Sequence, residues 1–243
     1  MIPFLIAQAT ESPASDPGIF SNLTPPMQIA ILLGLLSFAT ALMVCVTAFT
    51  RMIIMLSFVR RALSTQEIPP NPVMLGLSLF LTLFVMAPTF EAINENAVQP
   101  LLESQKLVEE DPSAKPTFDF QMAWNETVVE LKKFMMANTR TDDLALFFDL
   151  SKTEPPYERL DTPLKIAVPA FIISELKTAF IMGFCIYIPF LLIDLVVSTI
   201  LMSLGMMMMP PVVVSTPCKV LLFVLVDGWQ LICQSLVSSF VTG

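Results

Sequence analysis

The chain contains no histidine. That removes the usual imidazole base, the usual nitrogen ligand for a metal, and any Ser-His or Cys-His pairing, so most enzyme chemistry loses its commonest parts. Charge is also scarce. Asp, Glu, Lys and Arg make up 14% of the 243 residues, against roughly 25% in an ordinary soluble domain, while hydrophobic residues make up 55%. Such a chain belongs in a membrane or inside an apolar assembly. The net charge of −8 leaves no basic surface for nucleic acid. The four cysteines, Cys45, Cys185, Cys218 and Cys233, are scattered through apolar runs without a CxxC spacing. Neither a metal site nor a redox pair is signalled, no cofactor is implied, and the thiols read as small buried apolar residues. No GxSxG-like turn accompanies the serines, and no internal repeat is visible.

Met1 to Ala9 (MIPFLIAQA) has a short apolar stretch but lacks a basic n-region, and is too short for a full signal peptide. Residues 1–26 read as an N-terminal entry segment that admits the remnant of a signal. Thr24 is placed as an N-cap ahead of Pro25 and Pro26 in a first helical turn.

Residues 27–90 read as two hydrophobic helices and their connection. Met27 to Phe49 is uncharged and long enough to cross a hydrocarbon layer of about 30 Å. Arg51 to Pro72 carries three arginines and ends in a proline cluster, so it is expected to be a cytoplasmic connection. Pro72 to Phe90 is the second uncharged helix, with a bend expected near Pro88. Residues 91–165 are a different material. They hold 15 of the 21 acids and 8 of the 13 bases, so seven of the eight net negative charges lie there. This acidic stretch is expected to be a small helical extracytoplasmic domain. Gln121 to Met136 puts Trp124, Val128, Leu131 and Met135 on one helical face, and Asp142 to Leu150 follows as a short helix with acids in its first turn.

Residues 166–243 are apolar apart from Glu175, Lys177, Asp194, Lys219 and Asp227. Each would cost about 2.5–3.5 kcal/mol at the centre of a lipid-facing helix, so each must face protein or water. Glu175 and Lys177 are two residues apart and point to different sides of a helix, so each needs a mate elsewhere, on this chain or on another subunit. Asp194 and Lys219 are placed symmetrically about Gly205 to Pro211 (GMMMMPP), where glycine and two prolines break the helix. A hairpin turning there brings both charges level, about 19 Å from the turn. The uncharged arm from Leu195 to Met209 is only about 22 Å long, short of a full crossing, which fits helices wrapped by other chains better than plain lipid spans. The four consecutive methionines, Met206, Met207, Met208 and Met209, are unbranched, polarizable and easily repacked. Around an axis they would form a gasket; otherwise they fill a gap or touch lipid.

Three stretches resemble the FliP family of flagellar biosynthesis membrane proteins, related to an export subunit of virulence injectisomes: FTRMIIMLSFVRRAL continuing to PPNPVMLGLSLFLTLFVMAP, LKKFMMANTRTDDLALFFDL, and ISELKTAF through GMMMMPP to LLFVLVDGW. The resemblance implies an all-α, membrane-associated set of helical hairpins with a small extracytoplasmic helical domain, assembling into an oligomeric ring. It implies a pentamer joined by a FliR-type subunit and several FliQ-type hairpins, in the bacterial inner membrane and flagellar basal body, largely on the extracytoplasmic side. FlhA-type and FlhB-type components would dock, and unfolded flagellar subunits would pass through the pore. Met206 to Met209 would be the gasket, Phe134, Arg140 and Phe147 contacts in the extracytoplasmic domain, and Glu175, Asp194 and Lys219, with Lys177, the charges at subunit contacts. No enzyme activity is expected. The alternative is a small-solute or ion transporter with an intramembrane charged site, which predicts a second broken segment in the first half, and none is found there.

Overall fold

The structure is a computed structural model that describes residues 24–64, 69–110, 118–206 and 209–240. Every regular element among them is helical. The first, α1 (Pro25–Val46), starts directly after Thr24, as the Thr-Pro-Pro run requires, and is uncharged over 22 residues. It divides into its own compact unit up to Leu42, and the rest of the fold is the unit from Met43 onward.

The larger unit is organised around α2 (Phe49–Ala62) and α7 (Leu164–Ser203). The arginine-bearing segment, expected as a connection, is instead the most deeply buried helix of this unit. Met52, Met55, Leu56 and Val59 recur at i, i+3, i+4 and i+7 and are each fully buried. Arg60 and Arg61 sit in its last turn, where cations complement the helix dipole. Because the segment is core rather than loop, Arg51 does not serve as the topological signal that a free loop arginine would give.

The partner, α7, has 40 residues and is therefore about 60 Å long, twice a hydrocarbon thickness. Its N-terminal half buries Ile166, Ala167, Ala170, Phe171, Ser174, Glu175, Ala179 and Gly183. The small members of that series allow α2 to approach closely, and at Gly183 an added Cβ would sit 2.6 Å from the Phe58 ring. Arg51 meets Glu175 and Phe58 meets Phe180, so the two helices run parallel, and α2 ends well before α7 does.

The second apolar helix, α3 (Asn71–Ile93), continues past Pro88; the departure from α geometry comes afterwards, as a π-helical turn over Asn94–Val98, before α4 (Gln99–Glu110). The predicted pair in the acidic stretch is present as α5 (Phe120–Asn138), capped by the Asp119 carboxylate, and α6 (Thr141–Ser151). Met135 is buried and Leu131 packs on the core as the periodicity predicts, but Trp124 is exposed. The chain then returns through a 3-10 turn at Arg159–Asp161 into α7. Beyond the end of α7 at Ser203, α8 (Pro211–Leu225) and α9 (Gly228–Ser238) meet at an angle of 65°. Asp227, with φ of 50°, makes that elbow.

Among the described residues, three helical stretches are long and apolar enough to cross a membrane, Pro25–Val46, Asn71–Leu107 and Leu164–Ser203, or four if α8 and α9 count as one broken span. The cysteines depart from expectation. Cys185 and Cys218 are exposed and Cys45 and Cys233 half-buried, because the apolar runs that carry them face outward from this chain rather than into its own core.

Candidate functional site

The hairpin predicted around the methionine run is formed by the C-terminal part of α7 and by α8. At its base, Lys219, almost wholly buried, sets Nζ 2.6 Å from Asp194 Oδ2. The Ser215 hydroxyl donates to Asp194 Oδ1 at 2.6 Å, so both carboxylate oxygens are occupied. Lys219 also donates to Ser64 Oγ at 2.5 Å, just beyond the C-terminal end of α2. The symmetry of the charges about the turn therefore identified the Asp194–Lys219 pair correctly, while Ser64 and Ser215 carried no sequence signal of their own.

Above this base the hairpin is apolar and uncovered. Leu195, Val196, Ile200 and Val213 are all more than half exposed, and Met206 and Met209, at the tip, are 44% and 41% exposed. Met207 and Met208 lie outside the described residues.

Glu175 finds its mate on the same chain. Arg51 grips it in a bidentate pair, Nε to Oε2 at 2.8 Å and Nη2 to Oε1 at 2.5 Å. Arg51 Nη1 donates to the carbonyl and hydroxyl oxygens of Ser239 at 2.8 and 2.9 Å, and the guanidinium carbon lies 3.7 Å from the centre of the Phe240 ring. Planar, forked arginine suits this role, satisfying carboxylate, backbone and aromatic face together. The knot ties α2, α7 and the end of α9, and Arg51 was missed because its run was read as a connection. The periodicity of its methionines and leucine was the available signal.

Lys177, pointing away from Glu175 as its spacing requires, pairs with Asp143 Oδ1 at 2.6 Å and leaves its own side chain about half exposed. Asp143 is buried in the first turn of α6 and was read from sequence only as a favourable charge there. Arg140 is exposed; its backbone N–H donates to Ser174 Oγ at 3.0 Å and its guanidinium to Thr178 Oγ1 at 3.2 Å. Phe134 is buried against Phe171 and Phe240, with ring centroids 6.0 and 6.2 Å away, and Phe147 packs half-buried on the same core. No cluster of three or more potential metal ligands occurs among the described residues.

This architecture has relatives. The family model for FliP matches residues 32–236, which run from within α1 through most of α9. The chain belongs to the FliP family. The flagellar biosynthetic protein FliP of Bacillus subtilis is 48% identical to this FliP family member over 227 residues, covering 93% of this chain and 96% of the relative. That of Caulobacter vibrioides is 45% identical over 217 residues, covering 89% and 77% respectively. That of Borreliella burgdorferi is 40% identical over 223 residues, covering 90% and 83%. The matched region contains every charged residue of the two buried knots and the whole methionine hairpin, so the FliP family match spans the part of the chain with the unusual chemistry.

Proposed function

We propose that this FliP family member is the core pore-forming subunit of the flagellar protein export gate, passing unfolded flagellar subunits across the inner membrane. The observation that carries the reading is the α7–α8 hairpin: anchored at its base by the Asp194–Lys219 ion pair, it carries apolar faces and, at its tip, Met206 and Met209, which stay exposed among the described residues. A monomeric soluble protein seldom exposes so continuous an apolar surface, which marks contact with lipid or with other chains. Sibling hairpins packed around an axis would cover those faces, and Met206 to Met209 would meet at the centre as a deformable closure.

Five copies would assemble with FliQ-type hairpins and a FliR-type subunit, with FlhA-type and FlhB-type components docking on the cytoplasmic side. The acidic helices α4 to α6 would lie on the extracytoplasmic side. Arg140, Phe147 and Lys177 keep exposed or half-exposed surface and are assigned to sibling contacts. Phe134, Glu175, Asp194 and Lys219 take partners inside the chain, and their part in assembly is to hold the meeting surfaces in shape.

Replacing Met206 to Met209 together by alanine in the assembled gate tests the reading through ionic conductance. A rise in resting leakage supports the closure, and unchanged conductance removes it. Native mass spectrometry of the purified chain should show a ring-sized oligomer, and a purely monomeric species counts against the pore.

A further inference from the structure

Among the described residues, the polar side chains that tie the hairpin to the end of α2 meet at Lys219. Because α2 runs parallel to α7 and ends at Ala62, α7 extends beyond it without that support. From Asp194 to the last helical residue, Ser203, is about 14 Å, and from Lys219 back to Pro211 about 12 Å. Along this arm Leu195, Val196, Ile200, Met202, Val212 and Val213 are exposed. A tilt of about 5° at the base would shift the tip by roughly 1 Å. What orients Lys219 and Asp194 therefore bears on where Met206 and Met209 sit.

Ser64 is an unexpected residue to find at that base. It follows the C-cap Leu63 with φ of 55°, the left-handed region, and its N–H donates to the Arg61 carbonyl at 3.0 Å. Glycine, or asparagine, is the residue that local energetics favours at this position after a helix, because a Cβ there crowds the backbone. Serine gives up that advantage and gains one thing, an oxygen placed 2.5 Å from Lys219 Nζ. The site also puts the ammonium group at the negative end of the α2 dipole. Lys219 is thus oriented from two sides, by Asp194 on α7 and by Ser64 at the end of α2, while Ser215 steadies the far carboxylate oxygen. Backbone strain retained at one residue is characteristic of positions where a side chain has a task.

We infer that Ser64 is a positioning residue for the gate hairpin: through Lys219 it fixes the angle at which the hairpin leaves the α2–α7 core, and so the height of the methionine tip. The inference rests on the gate reading, and its test separates the two. Ser64→Gly removes the oxygen but supplies the residue that the left-handed backbone prefers, so the chain should accumulate in the membrane at the normal level. Ser64→Asn tolerates the same backbone and restores an acceptor oxygen.

With the full chain in flagellated cells, Ser64→Gly should raise resting ion leakage and lower secretion of flagellar subunits by roughly tenfold, the scale of one lost hydrogen bond to a charged group. Ser64→Asn should recover most of both. A purely local folding role predicts the opposite for Ser64→Gly, neutral or improved behaviour, and that result overturns the inference while leaving the gate reading intact. Equal impairment of Ser64→Gly and Ser64→Asn overturns it too, since the oxygen would then not be what matters. Normal leakage in the Met206 to Met209 alanine variant sinks the gate reading itself, whatever Ser64 does.

Discussion

The two halves of α7 face different worlds. From Leu164 to about Gly183 the helix is packed against α2, α5 and α6, with fully buried apolar residues and an ion pair between Arg51 and Glu175 that is closed off from solvent. From Asp194 to Ser203 it stands with α8 as a hairpin whose outward residues are exposed among the described residues. Both halves are predominantly apolar in sequence, and composition does not say which of them is covered. The difference shows that an apolar helix can be the core of its own subunit at one end and an exposed apolar face at the other, with the Asp194–Lys219 pair at the changeover.

The sharpest way to break that comparison is to attack the packed half. Glu175→Ala leaves the Arg51 guanidinium buried without its carboxylate and should cost about 3–5 kcal/mol, read as loss of the chain from membranes or a lower unfolding midpoint in detergent. A double replacement of Arg51 and Glu175 by apolar residues should be far milder, and an equally severe double variant would mean that the pair is not what stabilises the knot. Met52→Ala removes a fully buried side chain from the α2 face and should cost about 2–5 kcal/mol in the same assay.

Gly183→Ala drives a methyl group into the Phe58 ring and should cost about 1–3 kcal/mol, whereas Gly76→Ala on α3, with open space around it, should be neutral or better. Equal behaviour of the two glycines would remove the close α2–α7 approach. The smallest effect on the isolated chain belongs to the projecting half: Ile200→Ala should change its stability by less than about 0.5 kcal/mol yet reduce recovery of the oligomer on native gels. Loss of chain stability there would mean that the hairpin is part of the core after all.

How much of this was legible beforehand follows from the range of the information needed. The membrane-length helices, the paired short helices around Asn138 and the hairpin turn at Gly205 to Pro211 depend on neighbours within a few residues, and the sequence carries them openly. The Asp194–Lys219 pair was readable because a hairpin is symmetric about its turn, which reduces a 25-residue separation to a matter of counting. Glu175 offered no such symmetry, since its partner lies 124 residues away on a helix read as a connection. The cysteines were misjudged for a related reason: an apolar neighbourhood in sequence does not say whether that face turns toward the chain's own core or away from it.

Taken alone, then, the sequence determined the helical class, the apolar stretches and the break between α7 and α8, which are written in composition, periodicity and short-range spacing, and the kinship with FliP, which rests on the likeness of whole stretches of the chain to that family. Tertiary structure alone decided that Arg51 belongs to the core, that Asp143 meets Lys177, that Ser64 reaches Lys219, and which half of α7 is left uncovered. The physical reason is that local propensity selects the element, but the mate of a buried charge and the face that is buried are settled only when distant helices come within a few ångströms and compete for the same polar atoms.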